Sequence, residues 1–170
     1  MGYGQLDPAV VDAGPAIHLQ EIDCLLFLKM FQTLHIPDAV WNETVKQNHI
    51  SQKNLNRVNN IERHTVDNIR LTEFVEKECL SHLDHGELEC LYLCKTLKTR
   101  CILTDDLAVR DATKKLNLLP VGSLGIVVKA FHKGIISLTE ARNNLYLLHE
   151  RSTLFVTKTI VDIAISHLSD

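Results

Sequence analysis

"RCILTDDLAVRDATKKLNLLPVGSLG", residues 100–125, contains two strand-like runs, each followed by a helix-like one. "RCILT" (100–104) is short, apolar and β-branched, as a buried strand would be. Residues 106–116 carry apolar side chains at helical spacing, "LLPVG" (118–122) predicts a second strand, and 123–133 a second helix. Two strands joined through a helix lie parallel in one sheet, because a hairpin could join them only antiparallel.

The same alternation extends toward both ends. "AVVD" (9–12) and "TLHI" (33–36) predict two further strands, and helices are expected near 15–31, 38–48, 53–63, 72–80, 86–98, 139–150 and 156–168. Pro37 suits the first turn after a strand, and Gly134 after "VVKAFHK" reads as a helix C-cap. The polar stretch "KQNHISQKNLNRVNNIERHTVDN" (46–68) is weakly patterned and is expected to be an exposed helix. With no repeat, low-complexity tract or Pro/Gly linker, residues 1–170 read as one α/β domain.

A chain of 170 residues with 45% hydrophobic content can bury about 70% of its unfolded surface, enough for a core without staples. The five cysteines, Cys24, Cys79, Cys90, Cys94 and Cys101, form no C-x-x-C pair and sit mostly in apolar runs, as reduced core residues do. The N-terminus has no signal-peptide pattern and no segment has the length of a membrane span, so a soluble, cytoplasmic chain is expected. A net charge of −3 excludes a polycationic binder as a whole, although Lys95, Lys98, Arg100, Arg110, Lys114 and Lys115 make the middle locally basic.

Ligands of an open parallel sheet bind outside the carboxyl ends of the strands, and several carboxylates aim there. Asp12 closes "AVVD"; Asp105 and Asp106 close "RCILT"; Glu43 lies on the helix after Pro37; Glu87 follows Gly86 in the first turn of the helix in "LDHGELECLYLC". Each has an ordinary structural use as an Asx-turn, a helix cap or a charge favourable to the helix dipole. Together they would repel one another in a partly dehydrated cleft unless a cation held them. Carboxylates without Cys or His suit Mg²⁺ or Mn²⁺, and such ions activate water and offset charge in phosphodiester hydrolysis.

The order "VVDAGPAIHL", "HIPDAVWNETV", "LDHGELECLYLCKTL" and "CILTDDLAVRDATKKLNLLPVGSLGIVVKAFHKGII" resembles PIN-domain proteins, in particular a PIN-like group similar to VapC-type toxins. The resemblance runs from about residue 9 to 168, is weakest over 46–80, and is most specific in "LTDD…R…A…L…GSLG…KGII". It implies a three-layer α/β/α fold around a central, mainly parallel sheet of four to five strands. It also implies a metal-dependent ribonuclease acting on single-stranded RNA, a homodimer and an antitoxin partner. By position its acidic quartet would be Asp12, Glu43, Glu87 and a carboxylate of the T-D-D run, all as Mg²⁺ or Mn²⁺ ligands. The T-x-D pattern points from Thr104 to Asp106, with Asp105 also kept. Glu87 departs from the Asp common at the third position, which is compatible with a catalytically inactive binding module.

Two other readings are weaker. "DDLAVRD" spells the aspartate-rich run of terpenoid synthases, but those are larger and all-helical, whereas here the run follows a strand. Cys79, His82, His85, Cys90 and Cys94 are zinc-competent types, yet Cys90 and Cys94 share an apolar helix stripe. The histidines His18, His35, His49, His64, His132 and His149 show no metal or triad spacing.

Overall fold

Strand β1 (Ala9–Val11) is buried on both faces, with all three residues at 0% exposure, which is why it reads as an uninterrupted apolar run. It pairs in parallel with β2 (Leu34–Pro37) on one side and β4 (Cys101–Leu103) on the other. β3 (Ile61–His64) adds to β2 and β5 (Leu119–Val121) to β4, giving a parallel sheet in the order β3-β2-β1-β4-β5. The structure is a computed structural model and describes residues 4–168.

The intervening segments are helical: α1 (Ala13–Glu21), α2 (Asp38–Trp41), α3 (Gln52–Asn56), α4 (Asn68–Glu78) and α5 (His85–Thr96), then α6 (Leu107–Lys115), α7 (Ser123–His132), α8 (Leu138–Glu150) and α9 (Lys158–Ser166). They flank the sheet in a three-layer α/β/α arrangement, as the sequence led us to expect. α5 packs on β1, β2 and β4, while α8 and α9 pack with α7.

Short polar residues start these helices by accepting backbone N–H groups that the first turn leaves unpaired. Asp12 accepts from Ala13 N at 2.8 Å, Asp67 from Arg70 N at 2.9 Å, and Asp106 from Ala108 N and Val109 N at 2.7 and 3.0 Å. Asp84 with Glu87 and Ser137 with Glu140 form capping boxes on α5 and α8. Gly134 ends α7 at φ 67°, a backbone conformation that favours glycine.

Three expectations are corrected. The span 46–68 is not one exposed helix: α3 covers only five residues, and "IERH" then forms the edge strand β3. Glu62 and Arg63 of this edge strand are exposed, so it lacks the apolar run that marks a strand buried on both faces. The helix expected over 15–31 breaks after Glu21, where Asp23 adopts φ 59°, and continues as a 3₁₀ segment, Leu25–Met30. The helix expected over 38–48 is a single α turn that widens into a π segment, Asn42–Lys46, the segment carrying Glu43. Cys24, Cys90 and Cys94 are buried, but Cys79 is exposed where α4 ends. No helix among the described residues is long and apolar enough to cross a membrane.

Candidate active site

The sheet order places β2 and β4 on opposite sides of β1, so the chain changes direction between β1 and β4. At such a switch point the loops leaving the strand ends diverge and open a crevice. Here the crevice is a cleft of about 460 Å³ whose lining includes Asp12, Glu43, Glu87, Asp105 and Asp106, together with His18 and Asp84. β1 supplies Asp12, β4 supplies the Asp105–Asp106 pair, the π segment after α2 supplies Glu43, and the first turn of α5 supplies Glu87.

Asp12 and β4 are tied directly. Asp12 N donates to Leu103 O at 3.0 Å, and the Thr104 hydroxyl donates to Asp12 Oδ2 at 3.0 Å. Burial pushes the Asp12 carboxyl up to about 6. The Ala13 amide and Thr104 hydroxyl oppose this, while Glu43 and Asp105 add to it. Glu87 Oε2 accepts from Asp84 N at 2.9 Å as half of its capping box. Burial raises Glu87 to about 7; the Asp84 amide opposes this, and the charges of Asp106, Asp12 and Asp84 reinforce it. Glu43 Oε2 lies beside Gly86, where an added Cβ would come within 3.9 Å of it.

The two adjacent aspartates face different partners. Asp105 Oδ1 accepts from Ser123 N at 2.8 Å, and Oδ2 lies 2.6 Å from Ser123 Oγ and 2.8 Å from His18 Nδ1. Burial alone would raise Asp105, but the hydrogen bonds from His18 and Ser123 outweigh it and hold the carboxyl below its usual range. A Cβ at Gly122 would come 2.6 Å from Asp105 Oδ1 and 2.5 Å from Arg110 Nη2, so only glycine lets the strand-to-helix turn close on this carboxylate. Asp106 Oδ1 caps α6, and its Oδ2 has no protein donor among the described residues.

Sequence reasoning did not find His18, Ser123 or Gly122 as partners of Asp105. The available signals were local: His18 stands four residues after Gly14 and so shares its helix face, and Ser123 opens a helix directly after a strand. His, Ser and Asp meet here, but the Ser123 hydroxyl is 2.6 Å from the carboxylate and 3.5 Å from the imidazole. A nucleophilic triad needs the serine bonded to the imidazole, so the group is a clamp on Asp105.

The basic segment does not surround this cleft. Lys95, Lys98, Arg100 and Lys115 line a separate pocket around the turn before β4, at the amino edge of the sheet. Lys95 pairs with Glu78 and Lys114 with Asp111. The cysteine-rich zinc reading also falls: Cys90 lies in the core with its thiol 3.6 Å from Val11 O, and Cys94 is buried beside it. Among the described residues, one trio of His, Cys, Asp or Glu has a ligand atom from each within 4.8 Å of one another: His35, Glu62 and His64. The cleft carboxylates are spread more widely than that.

A parallel α/β/α sheet with acidic side chains at its topological switch point is an arrangement that could hold a divalent cation. A family model described as a PIN domain matches residues 8–170, and the chain belongs to the PIN-domain family. No curated protein and no solved structure matches it.

Proposed function

We propose that residues 1–170 act as one PIN-like domain, a metal-dependent endoribonuclease of VapC-like kind that hydrolyses phosphodiester bonds of single-stranded RNA. One observation carries the reading: six carboxylates from four segments, Asp84 included, line one cleft at the carboxyl edge of the sheet. Two of them, Asp12 and Glu87, are already pushed up by burial and by their acidic neighbours.

The donor set is all oxygen, which fits Mg²⁺ or Mn²⁺, and Mg²⁺ commonly takes one or two carboxylates and keeps several waters. Carboxylates too widely spaced for an all-protein cage suit that mode. Asp12, Glu43, Glu87 and Asp106 are the residues that would hold the ion. Asp105, with both oxygens engaged by His18 and Ser123, positions the turn that carries Asp106. When bound, such an ion supplies Lewis acidity and makes water a stronger nucleophile at neutral pH. Thr104 and the Asp84 amide fix the rotamers of Asp12 and Glu87.

At the rim of the cleft Phe155 is 98% exposed and Leu107 77% exposed. An exposed aromatic face beside a phosphodiester site suits stacking of an unpaired base, which favours a single-stranded substrate. Ile160 and Ile163 on α9 continue this apolar surface. We place a homodimer contact there, and an antitoxin-type protein would compete for the same face.

The test is cleavage of a panel of single-stranded RNAs with Mg²⁺, with Mn²⁺ and with EDTA. Cation-dependent internal cleavage, abolished by EDTA, by Asp12→Asn and by Asp106→Asn, is the expected result. RNA retention without cleavage under every cation would make the protein a catalytically inactive binding module.

A further inference from the structure

A second cluster of metal-competent side chains lies away from the cleft, on β2 and on the edge strand β3 that the sequence did not reveal. In the parallel pairing of β2 with β3, His35 stands opposite Glu62 and Pro37 opposite His64. Opposed residues share a sheet face and side chains alternate along a strand, so His35, Glu62 and His64 all project from one face. His35 Nδ1 lies 3.0 Å from His64 Nε2 and 3.5 Å from Glu62 Oε2. None of the three lines the acidic cleft.

We propose that His35, Glu62 and His64 form a second metal site, one that takes a borderline divalent ion of the Zn²⁺ class. Zinc bound to imidazole nitrogen and carboxylate oxygen at about 2.0–2.2 Å in tetrahedral geometry sets its ligand atoms roughly 3.3–3.6 Å apart. The two observed separations, 3.0 and 3.5 Å, bracket the lower part of that range, so an ion needs little side-chain movement. Two imidazoles and one carboxylate leave further coordination positions to water, and this mixed nitrogen–oxygen set selects Zn²⁺, Co²⁺ or Ni²⁺ over Mg²⁺.

The surroundings favour a cation. Arg63, the strand's own cation, points to the other face, where it pairs with Asp38 and lies over the Trp41 ring at 5.2 Å. Entry is open, since the Glu62 side chain is 61% exposed, while His35 at 12% supplies a fixed inner donor. The ion would join the edge strand β3 to β2, which it pairs with in the sheet.

Zn²⁺ titration of EDTA-stripped protein by calorimetry, with Co²⁺ absorption as the geometric probe, tests this. One tight equivalent is expected to bind here, separate from any uptake by the cleft, with a Co²⁺ ligand-field spectrum lacking a thiolate charge-transfer band, and to raise the melting temperature. His35→Gln and His64→Gln should each weaken binding by roughly tenfold or more, Glu62→Gln should weaken it less, and Asp12→Asn should leave it unchanged. Glu62 is exposed, so its variant remains informative if a histidine variant folds poorly. Binding that survives both histidine substitutions, or that disappears in Asp12→Asn, would overturn the site and reduce the pair to a simple imidazole–imidazole hydrogen bond. Failure here leaves the nuclease reading intact, because that rests on Asp12 and Asp106.

Discussion

Removing the Asp12 charge should stabilise the metal-free protein by an amount that depends on pH. The Asp12 carboxyl titrates at about 6 in the folded chain against 3.8 for an unperturbed aspartate. Each pH unit of displacement is worth about 1.4 kcal/mol, so the ionised group costs the native state about 3 kcal/mol. The sign follows from proton binding: between the two values the native state holds the proton and the unfolded state does not. Stability is therefore lost as pH rises through that window, with no penalty below about pH 4 and the full penalty above about pH 6. Asp12→Asn cannot ionise. Its unfolding free energy minus that of wild type should grow by about 3 kcal/mol between about pH 4 and pH 8, measured by urea unfolding in EDTA. Any fixed loss from the Thr104 hydroxyl bond shifts the whole difference without changing its slope. The opposite drift from His35, whose pKa is lowered by burial and then by His64, is common to both proteins and cancels. Glu87 loses a repulsion in the variant, which adds to the growth. Millimolar Mn²⁺ should then narrow the gap at pH 8 by stabilising wild type alone, about 2.7 kcal/mol at a hundredfold excess over Kd. A difference that stays flat across the pH range would refute the electrostatic account of the cleft.

Asp106 separates capping from metal binding, because asparagine caps as well as aspartate while alanine costs about 1 kcal/mol. Asp106→Asn should keep the stability of α6 and lose cation-dependent cleavage, whereas Asp106→Ala should lose both, as read by urea midpoints beside RNA cleavage. Phe155→Ala should weaken single-stranded RNA binding by about 1–3 kcal/mol in a fluorescence titration without changing the melting temperature, since its ring is solvent-exposed. The mass in sedimentation equilibrium at micromolar concentration should be twice the 19.2 kDa of the chain. Ile163→Asp should reduce it to one copy, and a wild-type monomer would remove the dimer proposal.

The strands that lie inside the sheet were legible because burial on both faces demands apolar runs, as in "AVV" and "CIL". β3 was not, because its pattern is set by water on its open side: Glu62 and Arg63 are exposed, and a four-residue polar strand next to Asn-rich sequence resembles a helix or a loop. The π segment was equally hidden, since its apolar spacing near Glu43 differs little from that of an α-helix over one turn. At the site, carboxylates that end strands or begin helices could be placed from their neighbours alone. The partners of Asp105 could not, because His18 is 87 residues away and Ser123 is 18 residues away, and their meeting depends on α1 and α7 lying side by side. The His35–His64 pair was unreadable for the same reason: their spacing of 29 residues means nothing until β3 is recognised as a strand.

The adjacency of Asp105 and Asp106 poses an electrostatic problem that the fold resolves by divergence. Where a strand gives way to a helix, successive side chains point in different directions, and each carboxylate here meets its own donors. Asp105 turns toward His18 and the first residue of α7, and its lowered pKa records that these donors outweigh its burial. Asp106 turns over the start of α6, spends one oxygen on two backbone amides and keeps the other toward the cleft it lines. The chain thus fixes both carboxylates on the turn between β4 and α6, against which Gly122 lets the turn between β5 and α7 close. Asp12 and Glu87 differ: burial, reinforced by the neighbouring carboxylates, raises both and leaves them needing positive charge. Replacing Gly122 with alanine tests this division of labour. The added Cβ must displace Asp105, so Asp106 should lose its orientation, and cation-dependent cleavage should fall while the pH-dependent effect of Asp12→Asn persists. Unchanged cleavage in Gly122→Ala would show that the clamp on Asp105 has no part in placing Asp106.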